Sequence, residues 1–248
     1  MSNFRKKVEL FFKRTLDEIY PERHGIDPIP NTRLSEIRGE LVKILAIDLV
    51  KKEVDLEMVS NGFMHSIAGI KSLLDQDVEA LYEGDPAAKS KLEIIITYPG
   101  FYAVAAYRIA RVLYLLEVPL IPRIITEHAK SYTGIEIHPG ADIGKHLCID
   151  HGTGVVIGET AVIGDNVKIY QGVTLGALSI PKRKSKEKRH PTIEDNVVIY
   201  AQAIILGGKT VIGKNSVIGG NVWITESVPA NTRVLYEGSS QNYQIIRK

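Results

Sequence analysis

At 248 residues the chain is long enough for one large domain or two moderate ones, each with a core of its own. A content of 44% hydrophobic and 24% charged residues excludes wholesale disorder, and a formal charge of +2, from 31 basic against 29 acidic residues, gives no reason to expect a nucleic-acid or membrane partner. The single cysteine, Cys148, excludes an internal disulfide and any cysteine-cluster metal site, and it fits a reducing compartment.

From the start, Phe4, Val8, Phe11, Phe12, Leu16 and Ile19 recur at the three- and four-residue spacing of an amphipathic helix. This opening lacks the small-residue cleavage site of a secretory signal, and no apolar run reaches the ~18 residues of a membrane span, so a cytoplasmic location is expected. Residues 34–59 place Leu34, Ile37, Leu41, Leu45, Ile47 and Leu49 on one broad apolar face, without proline, and predict a further helix. Another is predicted over residues 63–82. The break Glu83-Gly84-Asp85-Pro86 reads as a helix start, with Asp85 as cap and Pro86 in the first turn. The helix that follows ends at Pro99-Gly100, and residues 102–116 and 121–132 predict two more. Residues 1–132 thus form a helical domain, whose apolar stripes serve either as plain core or as a mating surface for another subunit.

At residue 135 the period changes. Aliphatic residues occupy every sixth position at Ile137, Ile143 and Ile149, at Ile157, Ile163, Ile169 and Leu175, at Ile193, Ile199 and Ile205, and at Ile212, Ile218 and Ile224. A period of six fits neither a helix nor a simple alternating strand. It fits a triangular coil, with one short strand on each face and the aliphatic residue turned to the axis, at about 18 residues per coil and about 4.8 Å between coils. A β-helix domain is therefore placed over residues 133–226, with a tail over 227–248. A two-sheet sandwich would need alternation and hairpin turns that are absent.

The repeat breaks once, at residues 176–191, GALSIPKRKSKEKRHP, where six of sixteen residues are Lys or Arg. The segment must leave the coil as a loop. Lys182 to Lys188 read as a solvated charged stretch or as a flap over an anionic ligand, and Arg189-His190, at the re-entry, stand out. Within the repeats the unusual residues are Glu136, His138, His146, Asp150 and His151. Glu136 and His151 lie three residues short of one 18-residue coil apart, which places them on adjacent coils and makes a carboxylate–imidazole hydrogen bond plausible. Such a pair can take a proton from a hydroxyl at neutral pH. The alternatives are a corner histidine facing solvent, or a zinc site drawn from the histidines, none of which shows close pairing.

The run IDHGTGVVIGETAVIGDNVKIYQGVTLG, with EIHPGADIG before it and KRHPTIEDNVVIYAQA after it, resembles the serine O-acetyltransferases. The resemblance covers roughly residues 85–229 and implies a left-handed parallel β-helix of hexapeptide repeats behind an α-helical domain. It also implies acetyl transfer from acetyl-CoA to the hydroxyl of L-serine, the first step of cysteine synthesis from serine. By the same resemblance His151 is the general base and Glu136 orients it, Asp85 and Asp150 hold the substrate ammonium, and Arg189 and His190 clamp its carboxylate. Gly176, Ala177 and Ala201 line the pantetheine arm. Acetyl-CoA is implied as co-substrate, with no tightly bound cofactor and no metal, and L-cysteine as feedback inhibitor of a homotrimer or dimer of trimers. The chain departs from the family pattern in three ways. Glu136 replaces the usual Asp, the loop is longer and more basic, and the last isoleucine is followed by Arg247-Lys248, so no strong cysteine synthase complex is expected. Two alternatives on the same scaffold are an acyltransferase for a sugar or other amino alcohol and a non-catalytic assembly module. A γ-class carbonic anhydrase shares the scaffold but needs a three-histidine pattern that is missing here.

Overall fold

The computed structural model describes residues 2–24, 32–47, 50, 54–178, 187–236 and 243–247. Helix α1 (Ser2–Ile19) turns the predicted stripe inward, burying Val8, Phe11, Phe12, Leu16 and Ile19. Its Phe11 ring lies 5.5 Å from Phe63 and its Phe12 ring 5.3 Å from Tyr102, the latter edge to face. A 3₁₀ turn (Pro21–His24) leads toward α2 (Thr32–Leu45), and α3 runs over Leu56–Gly84.

The stretch expected as one helix over 34–59 is therefore interrupted. Helix α2 stops at Leu45, and Asp55 opens α3 by accepting hydrogen bonds from the amides of Glu57 and Met58, both at 3.0 Å. An apolar stripe does not register such a capping carboxylate, which satisfies N–H groups a continuous helix would otherwise have bonded. Leu49 lies outside the described residues.

Asp85-Pro86 likewise does not start a helix. Asp85 is the C-cap residue of α3, and its carboxylate accepts from the Ala87 amide at 2.8 Å, a local turn that competes with helix continuation. Ser90 opens α4 (Lys91–Thr97) instead: its hydroxyl accepts from Glu93 N at 3.1 Å, while the Glu93 carboxylate accepts from Lys89 N at 2.7 Å. Pro99 then begins α5 (Pro99–Leu115), and α6 (Ile121–Thr133) is closed by Gly134 in the left-handed region.

The rest is a left-handed parallel β-helix. Its first face stacks β1 (Glu136–Ile137), β4 (Val156–Ile157), β7 (Thr174–Gly176), β10 (Ile204–Leu206) and β13 (Trp223–Ile224). The second stacks β2 (Asp142–Ile143), β5 (Val162–Ile163), β8 (Thr192–Ile193) and β11 (Val211–Ile212). The third stacks β3 (Cys148–Ile149), β6 (Lys168–Ile169), β9 (Val198–Ile199), β12 (Val217–Ile218), β14 (Thr232–Tyr236) and β15 (Tyr243–Arg247), of which only the β14–β15 pair is antiparallel. All thirteen aliphatic residues of the hexad pattern are buried, each paired with its counterpart on the neighbouring coil. The stretch expected as a tail from residue 227 carries β14, which extends the third face in register with β12.

The coils are not equal. Ile157 pairs with Leu175, eighteen residues on, but Ile137 pairs with Ile157, twenty residues on, because the corner at residues 150–155 is longer than the corners above it. The helices rest on this first coil. Tyr107 donates to the Ala141 carbonyl at 2.8 Å, and α5 approaches so closely that a Cβ on Gly100 would lie 2.2 Å from the Ile149 carbonyl oxygen. Arg108 grips Asp77 through two nitrogens at 3.0 Å each and donates onward to the carbonyls of Ile143 and Gly144.

Candidate active site

Most of the side chains that stand out from the repeat gather at two edges of the triangular prism. The edge between the third and first faces carries Asp150 and His151 on the long corner, with Tyr170 and Tyr200 on the coils above. His151 has φ +59°, and its side chain is 71% exposed, so the imidazole is open to a ligand. Asp150 is 12% exposed; its Oδ2 lies 3.2 Å from Lys168 Nζ and its Oδ1 3.7 Å from His151 Nε2. The His151 ring leans toward Tyr170 at 6.5 Å, and Tyr170 stacks on Tyr200 at 5.1 Å, nearly parallel.

The end of α3 delivers Asp85 to this edge. Its Oδ2 accepts from the Tyr98 hydroxyl at 2.6 Å, and this bond, with that from Ala87 N, holds the Asp85 carboxyl below its ordinary value while the Tyr98 phenol is pushed up to about 12. The charge of His151 is felt at Asp85 as well. Lys168 donates to the Gly84 carbonyl at 2.5 Å. Burial works against the Lys168 ammonium, but its hydrogen bonds to Tyr170 and Asp150 raise it overall. A helix C-terminus with two carboxylates beside it is a place for cations.

The edge between the first and second faces has a different character. Here Arg189 forms an ion pair with Glu159, and His190 is 7% exposed. The Thr160 amide donates to His190 Nδ1 at 3.0 Å, so in the neutral ring the proton sits on Nε2. Burial first, then the charges of Arg189 and Lys188, push His190 down to about 4. Lys188 donates to the carbonyls of Thr160, His190 and Pro191, which tacks the loop exit onto the coil; in the described part of the loop it is a fastening and not a free flap. Residues 179–186, the centre of the basic loop, lie outside the described residues. An open cleft of about 730 Å³ adjoins this edge, lined by Tyr114, Gly140, Asp142, Glu159, Thr160 and Lys188.

Between an unfolded value near 6.5 and the folded value of about 4, the unfolded chain takes up a proton at His190 that the folded chain refuses. Stability is therefore complete above that window and falls as the pH drops through it. Urea denaturation at stepped pH is expected to show this slope, and His190→Asn is expected to flatten it; an unchanged slope in the variant would assign the loss to other groups.

The predicted residues therefore do not all meet. Asp85, Asp150 and His151 converge at one edge, and Arg189 and His190 at another. Gly176 ends β7 and leads with Ala177 into the second of these edges, whereas Ala201 lies on the first, between β9 and β10. Within one chain the Glu136 carboxylate is bonded elsewhere than to His151: it accepts from Lys130 at 2.5 Å and from Arg123 at 3.3 Å. Burial alone would raise the Glu136 carboxyl, but these cations bring it below its ordinary value. The expected contact assumed an 18-residue first coil. With twenty residues, Glu136 aligns with Val156, five positions beyond His151.

Sequence reading passed over Tyr98, Lys168, Glu159 and Thr160. Lys168 had a detectable signal, being a charge in an outward hexad position whose counterparts on the coils above are Val198 and Val217. Among the described residues no group of three or more His, Cys, Asp or Glu could hold a metal ion, and no helix is long and apolar enough to cross a membrane.

No protein-family model matches the chain. It is 55% identical to the serine acetyltransferase, plasmid, of Synechococcus elongatus over 179 residues, which are 70% of this chain and 56% of that protein. The chain thus spans just over half the length of this relative. It is 48% identical to the serine acetyltransferase of Bacillus licheniformis over 163 residues, 66% of this chain and 73% of the relative. Among solved structures it is similar to serine acetyltransferase isoform 3 from Entamoeba histolytica in complex with cysteine, with a TM-score of 0.83 and 38% identity over 94% of this chain and 83% of that one.

Proposed function

The chain belongs to the serine acetyltransferase family, and we propose that it transfers the acetyl group of acetyl-CoA to the hydroxyl of L-serine, giving O-acetyl-L-serine and CoA, the first step of cysteine synthesis from serine. The observation that carries this reading is the pairing of two unlike edges. One gathers Asp85 and Asp150 beside an accessible imidazole; the other offers Arg189 and the Nε2–H of a neutral His190. Serine carries an ammonium, a carboxylate and a hydroxyl, and each of the three has a counterpart there.

Because the two edges belong to different corners of one prism, a single chain cannot apply both to one small molecule. We therefore propose a homotrimer, alone or paired into a hexamer, in which the Asp150–His151 edge of one copy faces the Arg189–His190 edge of the next. That arrangement would also bring Gly176 and Ala177 of one copy toward Ala201 of another, as a shared wall for acetyl-CoA.

In this site His151 takes the proton of the serine hydroxyl as the oxygen attacks the thioester carbon. The tetrahedral intermediate collapses with cleavage of the C–S bond, and the imidazolium returns its proton to the departing CoA thiolate. Asp150, 3.7 Å away, stabilises the imidazolium. Glu136, implied by the family resemblance as the orienting carboxylate, is held by Lys130 and Arg123 and acts in this reading only through their combined field. L-cysteine presents the same ammonium and carboxylate, so it is the feedback inhibitor proposed here; the cysteine in the Entamoeba structure supports this.

Release of CoA thiol from acetyl-CoA, measured with a panel of acceptor alcohols, tests the reading. L-Serine is expected to rank first and L-cysteine to compete with it. A sugar or a simple amino alcohol ranking above serine would overturn the assignment, since neither needs the Arg189–His190 edge.

A further inference from the structure

We infer that Lys168 is a positioning residue for the serine ammonium, setting the gap between Asp85 and Asp150; this inference rests on the serine-acetylating reading above. Lys168 opens β6 and points outward on the third face, one coil above Cys148 and below Val198. A neutral residue would pack there as well as valine does on the next coil. A largely buried ammonium, by contrast, costs desolvation that only full use of its donors offsets. The donors are used. Nζ reaches the Gly84 carbonyl at 2.5 Å and Asp150 Oδ2 at 3.2 Å, and it lies over the Tyr170 ring at 4.7 Å from the centroid.

Gly84 immediately precedes Asp85, so one ammonium ties the end of α3 to the long corner of the coil. The two carboxylates of the ammonium subsite come from segments far apart in the chain, and the Lys168 side chain touches both segments. By occupying Asp150 Oδ2 it leaves Oδ1 on the side of His151. Two carboxylates and one fixed ammonium leave a single unbalanced negative charge, which matches one substrate ammonium. Tyr98 performs the corresponding service at Asp85 through its 2.6 Å bond.

Steady-state kinetics of thiol release on the full chain tests the inference with Lys168→Met, which keeps the stem, and Lys168→Arg, which keeps the charge. The loss of a charged hydrogen bond in the subsite is expected to raise the serine KM of Lys168→Met by about tenfold or more, with the acetyl-CoA KM within about twofold and kcat reduced much less. Lys168→Arg is expected to recover most of that loss. An unchanged serine KM in Lys168→Met would overturn the role, as would a fall in kcat and in both affinities together with Tm, or an arginine variant no better than methionine. Lys168→Gln, which retains a donor for the Gly84 carbonyl, gives the same reading if the methionine variant does not fold. Absence of serine acetylation by the unmodified chain would instead overturn the reaction itself, and the role of Lys168 with it.

Discussion

Replacing His151 with asparagine is expected to lower kcat for serine acetylation by about 10²- to 10⁴-fold, the usual contribution of a positioned general base, with little change in the serine KM. Asparagine is the informative choice because residue 151 has φ +59°, a conformation that asparagine adopts more readily than alanine. The side chain is mostly exposed and makes no buried hydrogen bond, so a lost rate would report chemistry and not unfolding. Urea denaturation of the variant should overlay that of the parent chain. Glu136→Gln supplies the contrast. Its carboxylate is committed to Lys130 and Arg123, so its loss is expected to cost less than about tenfold in kcat. A His151→Asn variant with the parent rate would sink the base assignment. A Glu136→Gln variant as inactive as His151→Asn would restore the dyad that residue spacing alone suggests.

The largest effect on stability is expected at the buried pair joining the helices to the coil. Arg108 is 4% exposed and Asp77 fully buried, and the pair is bidentate, with Nε and Nη2 each 3.0 Å from a carboxylate oxygen. Burial pushes the Asp77 carboxyl up, against the pull of the guanidinium and of the Leu147 amide, which donates to it at 2.9 Å. Arg108→Ala would leave that carboxylate in the core without its cation. It would also strip hydrogen bonds from the carbonyls of Ile143 and Gly144. Breaking such a pair costs about 3–5 kcal/mol, and equilibrium urea unfolding is expected to show a loss of that size. An apolar double replacement, Asp77→Leu with Arg108→Met, removes both charges together and is expected to lose markedly less than the two single changes summed. Additive losses would mean that the pair is worth only its separate packing.

Lys168 and the Asp77–Arg108 pair share a design feature. In each, a cation on one segment satisfies carbonyls or carboxylates on another that is distant in sequence, and the helices are thereby set against the first coil. The proposed serine site would inherit its geometry from that junction, because Asp85 arrives from the helical side and Asp150 from the coil.

The hexad pattern determined the β-helix without help from anything else in the chain. Every aliphatic position it marked is buried and in register, because a period of six admits one solution in which each such residue faces the axis. The residues of the proposed site were legible too: Asp150, His151, Arg189 and His190 interrupt a repeat that does not need them. What remained out of reach was how those residues are distributed in space. Two extra residues in one corner set Glu136 beside Val156 on the next coil, a register that no local pattern announces because corners tolerate insertion without disturbing the strands. Asp85 looked like a helix start, yet its carboxylate found the Ala87 amide and the Tyr98 hydroxyl and ended a helix instead. Lys168 and Tyr98 became part of the site only when folding brought α3, α4 and the third face together. Periodic burial is dictated residue by residue along the chain, so the sequence alone decides it. The convergence of charges depends on loop lengths and on docking between segments some seventy or more residues apart, and only the tertiary structure decides that.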